Sequence, residues 1–216
     1  MHFINVRSMQ RACLVASILA ITLLGHAHAQ EWGYLDKFSV SSTTFANGST
    51  LPLSMIDEIP SNGINACSIN GATGGDQSPE LQWTHPRPGT QSFVVVTFDV
   101  TASFLHWGMY NIPGYARGLP QNAGAATETK YGTQILNDFG LIGYDGPCPP
   151  PNYPPDVHHY IFTVYALDRP LDLPNTANFP SDSETLLNAL ARLGAEGHVL
   201  DSASIEGFYS TTPSSP

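Results

Sequence analysis

Apolar residues along this chain fall into short alternating or continuous runs, and most of these read as strands. Ser92 to Val100, SFVVVTFDV, is β-branched and aromatic almost throughout and follows the turn signal Pro88-Gly89. Such a run predicts a buried strand. His106 to Ile112 alternates and stops at Pro113, and Tyr160 to Leu167 alternates up to Asp168-Arg169-Pro170. Leu81-Gln82-Trp83 and Ser204 to Tyr209 predict two shorter strands. Only Ser183 to Leu193 has helical spacing: Leu186, Leu187, Leu190 and Leu193 form one stripe, Ser181 and Glu184 have capping-box spacing, and Gly194 is a natural stop. Residues 114–137, rich in Gly, Ala and Asn, read as a long surface loop. Many short strands with one late helix predict an all-β fold in a single sandwich-like domain.

The first 29 residues have a different pattern. Arg7 and Arg11 precede an uninterrupted apolar run from Ala12 to Leu24, and Gly25-His26-Ala27-His28-Ala29 then places small residues at −3 and −1. This predicts a secretory signal peptide over 1–29 with cleavage before Gln30. The run is shorter than the ~20 residues that span a bilayer, so no integral membrane span is expected. The sequence therefore predicts a secreted protein, extracellular or, in a Gram-negative host, periplasmic. One domain is expected over 30–210, with a disordered tail over 211–216.

Composition narrows the reading further. Charged residues make up only 12% of the 216, while Gly and Pro number 19 and 18, which disfavours a helical bundle or coiled coil. The formal charge of −10 becomes −12 once Arg7 and Arg11 are removed. Neutralising phosphates needs clustered Lys and Arg, so no nucleic-acid partner is expected. Two cysteines remain after cleavage, Cys67 and Cys148. In an oxidising compartment they are expected to pair as a Cys67–Cys148 disulfide, with two free thiols as the alternative. Asn47-Gly48-Ser49 is an N-glycosylation sequon, of consequence in a eukaryotic host.

Several segments taken in order resemble one family. They are Ser78 to Trp83 (SPELQW), Pro88 to Phe93 (PGTQSF), Asp99, His106-Trp107, Asn111-Ile112-Pro113, Gly143 to Pro150 (GYDGPCPP), His158 to Phe162 (HHYIF), Tyr165-Ala166-Leu167 and Gly197-His198. Together they are similar to the phosphatidylethanolamine-binding protein family, in its bacterial-type, Raf-kinase-inhibitor-like branch, over about residues 38–209. The resemblance implies a Greek-key β-sandwich with one or two short late helices. It also implies a small anion-binding pocket formed by Asp99, His106, Gly146, Pro147, His158 and Tyr160. Two departures stand out. The family's Asp-Pro-Asp-x-Pro is here Asp99-Val100-Thr101-Ala102-Ser103, and its His-Arg-Tyr is His158-His159-Tyr160.

Asp99, His106 and His158 all fall at strand ends, where a sandwich can gather distant residues into one cleft. A carboxylate beside two imidazoles can fix a ring tautomer and leave the other nitrogen to bind an anion or exchange a proton. The simpler alternative is that His106 satisfies a buried hydrogen bond and Asp99 caps a loop. Loss of a carboxylate at Thr101 is expected to favour anions, with Gly146 and Pro147 backbone forming the floor. His159, His85 and His198 read as flank or surface residues. The spacing of Asp99, His106 and His158 lacks a metal motif, so no metal and no cofactor is expected.

The function these features predict is a secreted binding protein for a small anionic or carboxylate-bearing molecule. An alternative is an accessory enzyme of a fungal secondary-metabolite pathway, of the kind that couples and cyclises maleic-anhydride units. His106, His158 and Asp99 would then be its catalytic residues. A third is a secreted inhibitor acting on an unknown protein partner.

Overall fold

Residues 37–126, 130–176 and 179–212 are described by the computed structural model, so the expected signal peptide and residues 213–216 lie outside the described residues. The strands are β1 Ser39–Ser41, β2 Ser49–Thr50, β3 Pro60–Ser61, β4 Ile64–Asn65, β5 Leu81–Thr84, β6 Ser92–Asp99, β7 Phe104–Pro113, β8 Gly118–Leu119, β9 Thr133–Gln134, β10 His158–Leu167 and β11 Val199–Tyr209. The helix α1, Ser183–Ala195, lies between the last two strands. Six strands form the main sheet in the order β2-β11-β10-β6-β7-β9, and β1-β5-β8 form a second. The hairpins β6–β7 and β10–β11 are joined edge to edge by antiparallel β6–β10 pairing. The fold is all-β, with a single α-helix and two short 3₁₀ turns, Leu53–Met55 and Ile69–Gly71, among the described residues.

The continuity of the Ser92–Asp99 run now has a cause. Phe93 and Val95 face a core containing Trp83, Trp107 and Phe162. Val94 and Val96 face the opposite side, against Leu186, Leu190 and Leu193 of α1. A strand covered on both faces has no polar face to alternate with. β10 keeps its alternation because only one of its faces is packed this way: Tyr160, Phe162 and Val164 are buried while Ile161, Thr163 and Tyr165 are not fully so.

Several boundaries differ from the sequence expectation. Asp182, not Ser181, caps α1, its Oδ1 accepting from Thr185 N at 2.9 Å. Ser181 is buried and donates its hydroxyl to Pro174 O instead. Gly194 lies inside the helix, which stops near Gly197 at φ +81, a conformation glycine adopts without strain. The stretch 114–137 is more than a surface loop. It contributes β8 and β9 and buries Leu119, Ala123 and Ile135. Thr211 and Thr212, assigned to the tail from sequence, are held by hydrogen bonds to Pro149 O and from Asn152 N. Among the described residues no helix is long and apolar enough to cross a membrane.

Candidate functional site

Sheet register brings the predicted polar residues to one end of the sandwich. Tyr160 of β10 lies directly opposite Asp99 of β6, and Asp99 opposite Phe104 of β7. His158, two residues before Tyr160, shares its face by the period-2 rule. His106 reaches the same place through a bulge. Thr97 pairs with Trp107 but Phe98 with Leu105, so His106 is the extra residue. The bulge also lets Trp107 and Leu105, two positions apart, point into opposite cores. Without it the strict alternation of β7 would send both to one face.

Asp99 performs two tasks at once. Its Oδ1 accepts from Thr101 N at 2.8 Å and Ala102 N at 3.0 Å, capping the tight β6–β7 connection. That connection ends at Ser103 with φ +54. Its Oδ2 takes Nδ1 of His158 at 2.6 Å, with the aspartate side chain 2% and the histidine 8% exposed. A carboxylate accepts, so His158 carries its proton on Nδ1 and turns Nε2 elsewhere.

His106 is fixed by different means. Its Nδ1 donates to the Asp145 carbonyl at 2.8 Å, and its own carbonyl accepts from Asp145 N at 3.2 Å. Phe104, Phe139 and Tyr160 surround the ring at centroid distances of 5.1, 5.7 and 5.2 Å. Burial lowers its pKa, opposed by the Asp145 hydrogen bond and by the charges of Asp99, Asp145 and Asp138. A lowered pKa favours the neutral ring, whose lone pair is on Nε2 because Nδ1 donates to a carbonyl. Burial first, then the neighbouring Asp99 charge, holds the Tyr160 hydroxyl well above the usual phenol range.

These residues line a cavity of about 190 Å³ together with Ala102, Phe104, Phe139, Cys148, Pro149 and Pro150. Asp99, His106, His158 and Tyr160 thus come together as the sequence proposed, whereas Gly146 and Pro147 are not among the lining residues. They stand behind the wall. Gly146 N donates to Asp76 Oδ1 at 2.8 Å, and a Cβ on Gly146 would lie 2.2 Å from Met55 O. Pro147 O accepts from Asp57 N at 3.3 Å. Thr101 also lies off the pocket, its hydroxyl accepting from His159 N at 3.0 Å. Its replacement of an acidic residue therefore acts on the loop and not on the cavity. His159 pairs with Glu206 at 2.8 Å and His198 with Asp168 at 3.0 Å, both on partly exposed flanks. Asn47 is exposed, its Oδ1 accepting from Glu206 N at 2.8 Å.

Cys67 and Cys148 form the expected disulfide, and Cys148 is part of the pocket wall. Phe104 and Phe139 had no signal in the sequence beyond being apolar. Asp145 was inside a quoted motif, but its role belongs to its backbone carbonyl, which residue identity does not reveal.

Behind the wall, Asp57, Asp76 and Asp145 each place a carboxylate oxygen within 4.8 Å of the others. Hard cations favour oxygen sets of this kind, and a shared proton relieves the same repulsion. Burial is the main reason the Asp76 carboxyl is pushed up to about 7, opposed by its bond from Gly146 and reinforced by Asp57 and Asp145. A folded-state pKa above the unfolded one means that the folded chain binds more protons between about pH 4 and 7. Stability contributed by this site is then present at low pH and lost as pH rises through that window. Asp76→Asn, which keeps the oxygen that Gly146 needs, is expected to flatten this slope. At pH 8 it should stabilise the fold by about 1–2 kcal/mol, after discounting for the solvent access of a half-buried group. Thermal melts from pH 4 to 8 check this, and an unchanged slope in the variant would place the proton elsewhere.

Residues 41–210 match the family model described as phosphatidylethanolamine-binding protein. A UPF0098 protein of Aquifex aeolicus is 35% identical over 174 residues, covering 79% of this chain and 86% of its own. The UPF0098 protein YbhB of Escherichia coli is 35% identical over 147 residues, covering 65% and 85%. Among solved structures, Escherichia coli YbcL, described as a member of the mammalian PEBP family, superposes with a TM-score of 0.65 at 29% identity. That match covers 80% of this chain and 98% of YbcL.

Proposed function

The chain belongs to the phosphatidylethanolamine-binding protein family, in the bacterial-type branch with YbcL and YbhB, and from that premise we propose that it is a secreted binding protein for a small oxyanion-bearing molecule. One observation carries the reading. Two buried imidazoles, each pinned at Nδ1, line a cavity of about 190 Å³, and among the described residues neither Nε2 has a hydrogen-bond partner within the fold. Pinned rings lose little freedom when they engage a ligand, which is how preorganisation favours binding. The apolar part of the wall, Phe104, Phe139, Pro149 and Pro150, suits a compact organic body beside the acid group.

Secretion is supported by the signal-like segment at 1–29 and by the disulfide, which persists in oxidising compartments. The test uses protein recovered from its host's medium or periplasm, which should begin at Gln30. Titration calorimetry with inorganic phosphate, acetate and maleate is expected to show one site per chain, and His106→Ala should weaken it at least tenfold. Equal affinity in the variant places the ligand outside this pocket. Consumption of maleate in molar excess, lost in the same variant, would replace binding by catalysis.

A further inference from the structure

The two ends of the disulfide have different surroundings. Cys67 is 0% exposed, and its carbonyl accepts from the Tyr209 hydroxyl at 3.1 Å. Cys148 is partly exposed and stands in the cavity wall, immediately before Pro149 and Pro150. A thiolate arriving from solvent therefore meets the bridge at the Cys148 sulfur, and the sulfur it displaces belongs to Cys67.

One carboxylate overlooks both sulfurs. An Asp57 carboxylate oxygen and the two Sγ atoms all lie within 4.8 Å of one another. The same aspartate belongs to the group it forms with Asp76 and Asp145. Its place is fixed: Oδ1 accepts from Glu58 N at 2.7 Å, the backbone carbonyl accepts from Asn65 Nδ2 at 2.8 Å, and the backbone N–H donates to Pro147 O. Among the described residues no Lys or Arg forms an ion pair with Asp57, Asp76 or Asp145. The charge beside the bridge is thus uncompensated.

Thiol exchange is a displacement at sulfur. The incoming thiolate bonds to the Cys148 sulfur, the bond between the two cysteines breaks, and its electron pair leaves on Cys67 as a thiolate. A second reductant thiolate then attacks the first at Cys148, releasing the Cys148 thiolate and the reductant's own disulfide. Asp57 opposes the first displacement in three ways. It repels the approaching anion, it stands against the negative charge spread over the reacting sulfurs, and it disfavours a Cys67 thiolate formed where burial already raises a thiol's pKa. A thiol of raised pKa is a poor leaving group.

We propose that Asp57 guards the Cys67–Cys148 bridge against exchange with thiols by holding an uncompensated negative charge against both sulfurs. The guard keeps Cys148 and the two prolines after it in place as cavity wall when the surroundings contain reducing thiols. A unit charge at this distance, in half-buried surroundings, changes such a rate by about tenfold to a hundredfold.

The experiment follows reduction of the mature, oxidised protein by alkylation and mass spectrometry. Burial raises the Asp57 pKa, opposed by the bond from Glu58 N and reinforced by the charges of Asp145 and Glu58, so the reaction is run at pH 8, where the carboxyl is ionised. Two reductants of different charge are compared: glutathione, whose thiolate form is a net anion, and cysteamine, whose ammonium balances its thiolate. Each rate is divided by that of the same thiol with a small uncharged disulfide. Cysteamine is then expected to open the bridge about tenfold faster than glutathione. Asp57→Asn keeps the oxygen that Glu58 N needs. It should speed glutathione about tenfold and shrink the preference for cysteamine to about twofold. Asp76→Asn removes a charge from the carboxylate group but not from beside the sulfurs, and should leave the preference in place. The trapped glutathione adduct should be on Cys148. If Asp57 only holds the local structure, Asp57→Asn speeds both thiols alike and the preference persists, which overturns the guard. An unaltered protein without the preference overturns it too, whatever the variant does. So does an adduct on Cys67, or a rate that climbs with added urea, since the bridge would then open in the unfolded chain.

Discussion

Reduction of the Cys67–Cys148 disulfide is expected to lower the stability of the fold by about 4 kcal/mol, a large share of what a domain of this size has. The bridge joins residues 81 apart, and in the chain-entropy picture a cross-link of that span mainly restricts the unfolded chain. The native side has independent ties at the same place. Tyr209 donates to Cys67 O at 3.1 Å, Thr211 to Pro149 O at 2.6 Å, and Gly146 N to Asp76 at 2.8 Å. The folded shape should therefore survive reduction while the unfolded ensemble expands. Urea unfolding should show a lower midpoint together with a steeper slope, because a chain without the cross-link exposes more surface. The double variant Cys67→Ala/Cys148→Ala should reproduce both changes without reductant. Coincident curves for oxidised and reduced protein would mean that the bridge contributes nothing to stability.

Much of the fold was legible because its signals are local. A covalent run of β-branched residues such as Ser92–Asp99 declares a strand wherever it lies, and the leucine stripe of α1 declares a helix. The family resemblance then supplied what local pattern could not, namely that Asp99, His106, His158 and Tyr160 meet. What remained hidden depends on backbone geometry. The bulge that aims His106 exists because Trp107 and Leu105 must enter different cores, a tertiary demand with no sequence marker. Gly146 was read as a floor for the ligand, yet its missing side chain serves close packing against Met55 O. The cap of α1 moved by one residue because Ser181 was already engaged with Pro174, a contact across the loop that the capping-box pattern cannot register. Pairing of Cys67 with Cys148 followed from cysteine number and compartment, whereas its place in the pocket wall did not.

Asp99→Ala is expected to be the most damaging single change within the pocket, and Asp99→Asn a mild one. The alanine leaves the Thr101 and Ala102 amides without their acceptor and strips a buried histidine of its partner. Removing one member of such a pair typically costs about 3–5 kcal/mol. Asparagine keeps an oxygen for the two turn amides, so its penalty should be about 1 kcal/mol. Its NH₂ group, however, replaces the oxygen that faces His158 Nδ1. A donor there obliges the ring to accept at Nδ1 and to place its proton on Nε2, facing the cavity. Asp99→Asn should therefore add a donor to the pocket while removing its buried negative charge. Both changes favour an anion in the cavity, so the affinity for inorganic phosphate at pH 7.5 should rise. Urea unfolding reads the stability difference, and imidazole ¹⁵N shifts report the tautomer directly. Equal stability of the two variants would show that the turn does not depend on Oδ1. An unchanged His158 tautomer in Asp99→Asn would remove Asp99 as the residue that sets it.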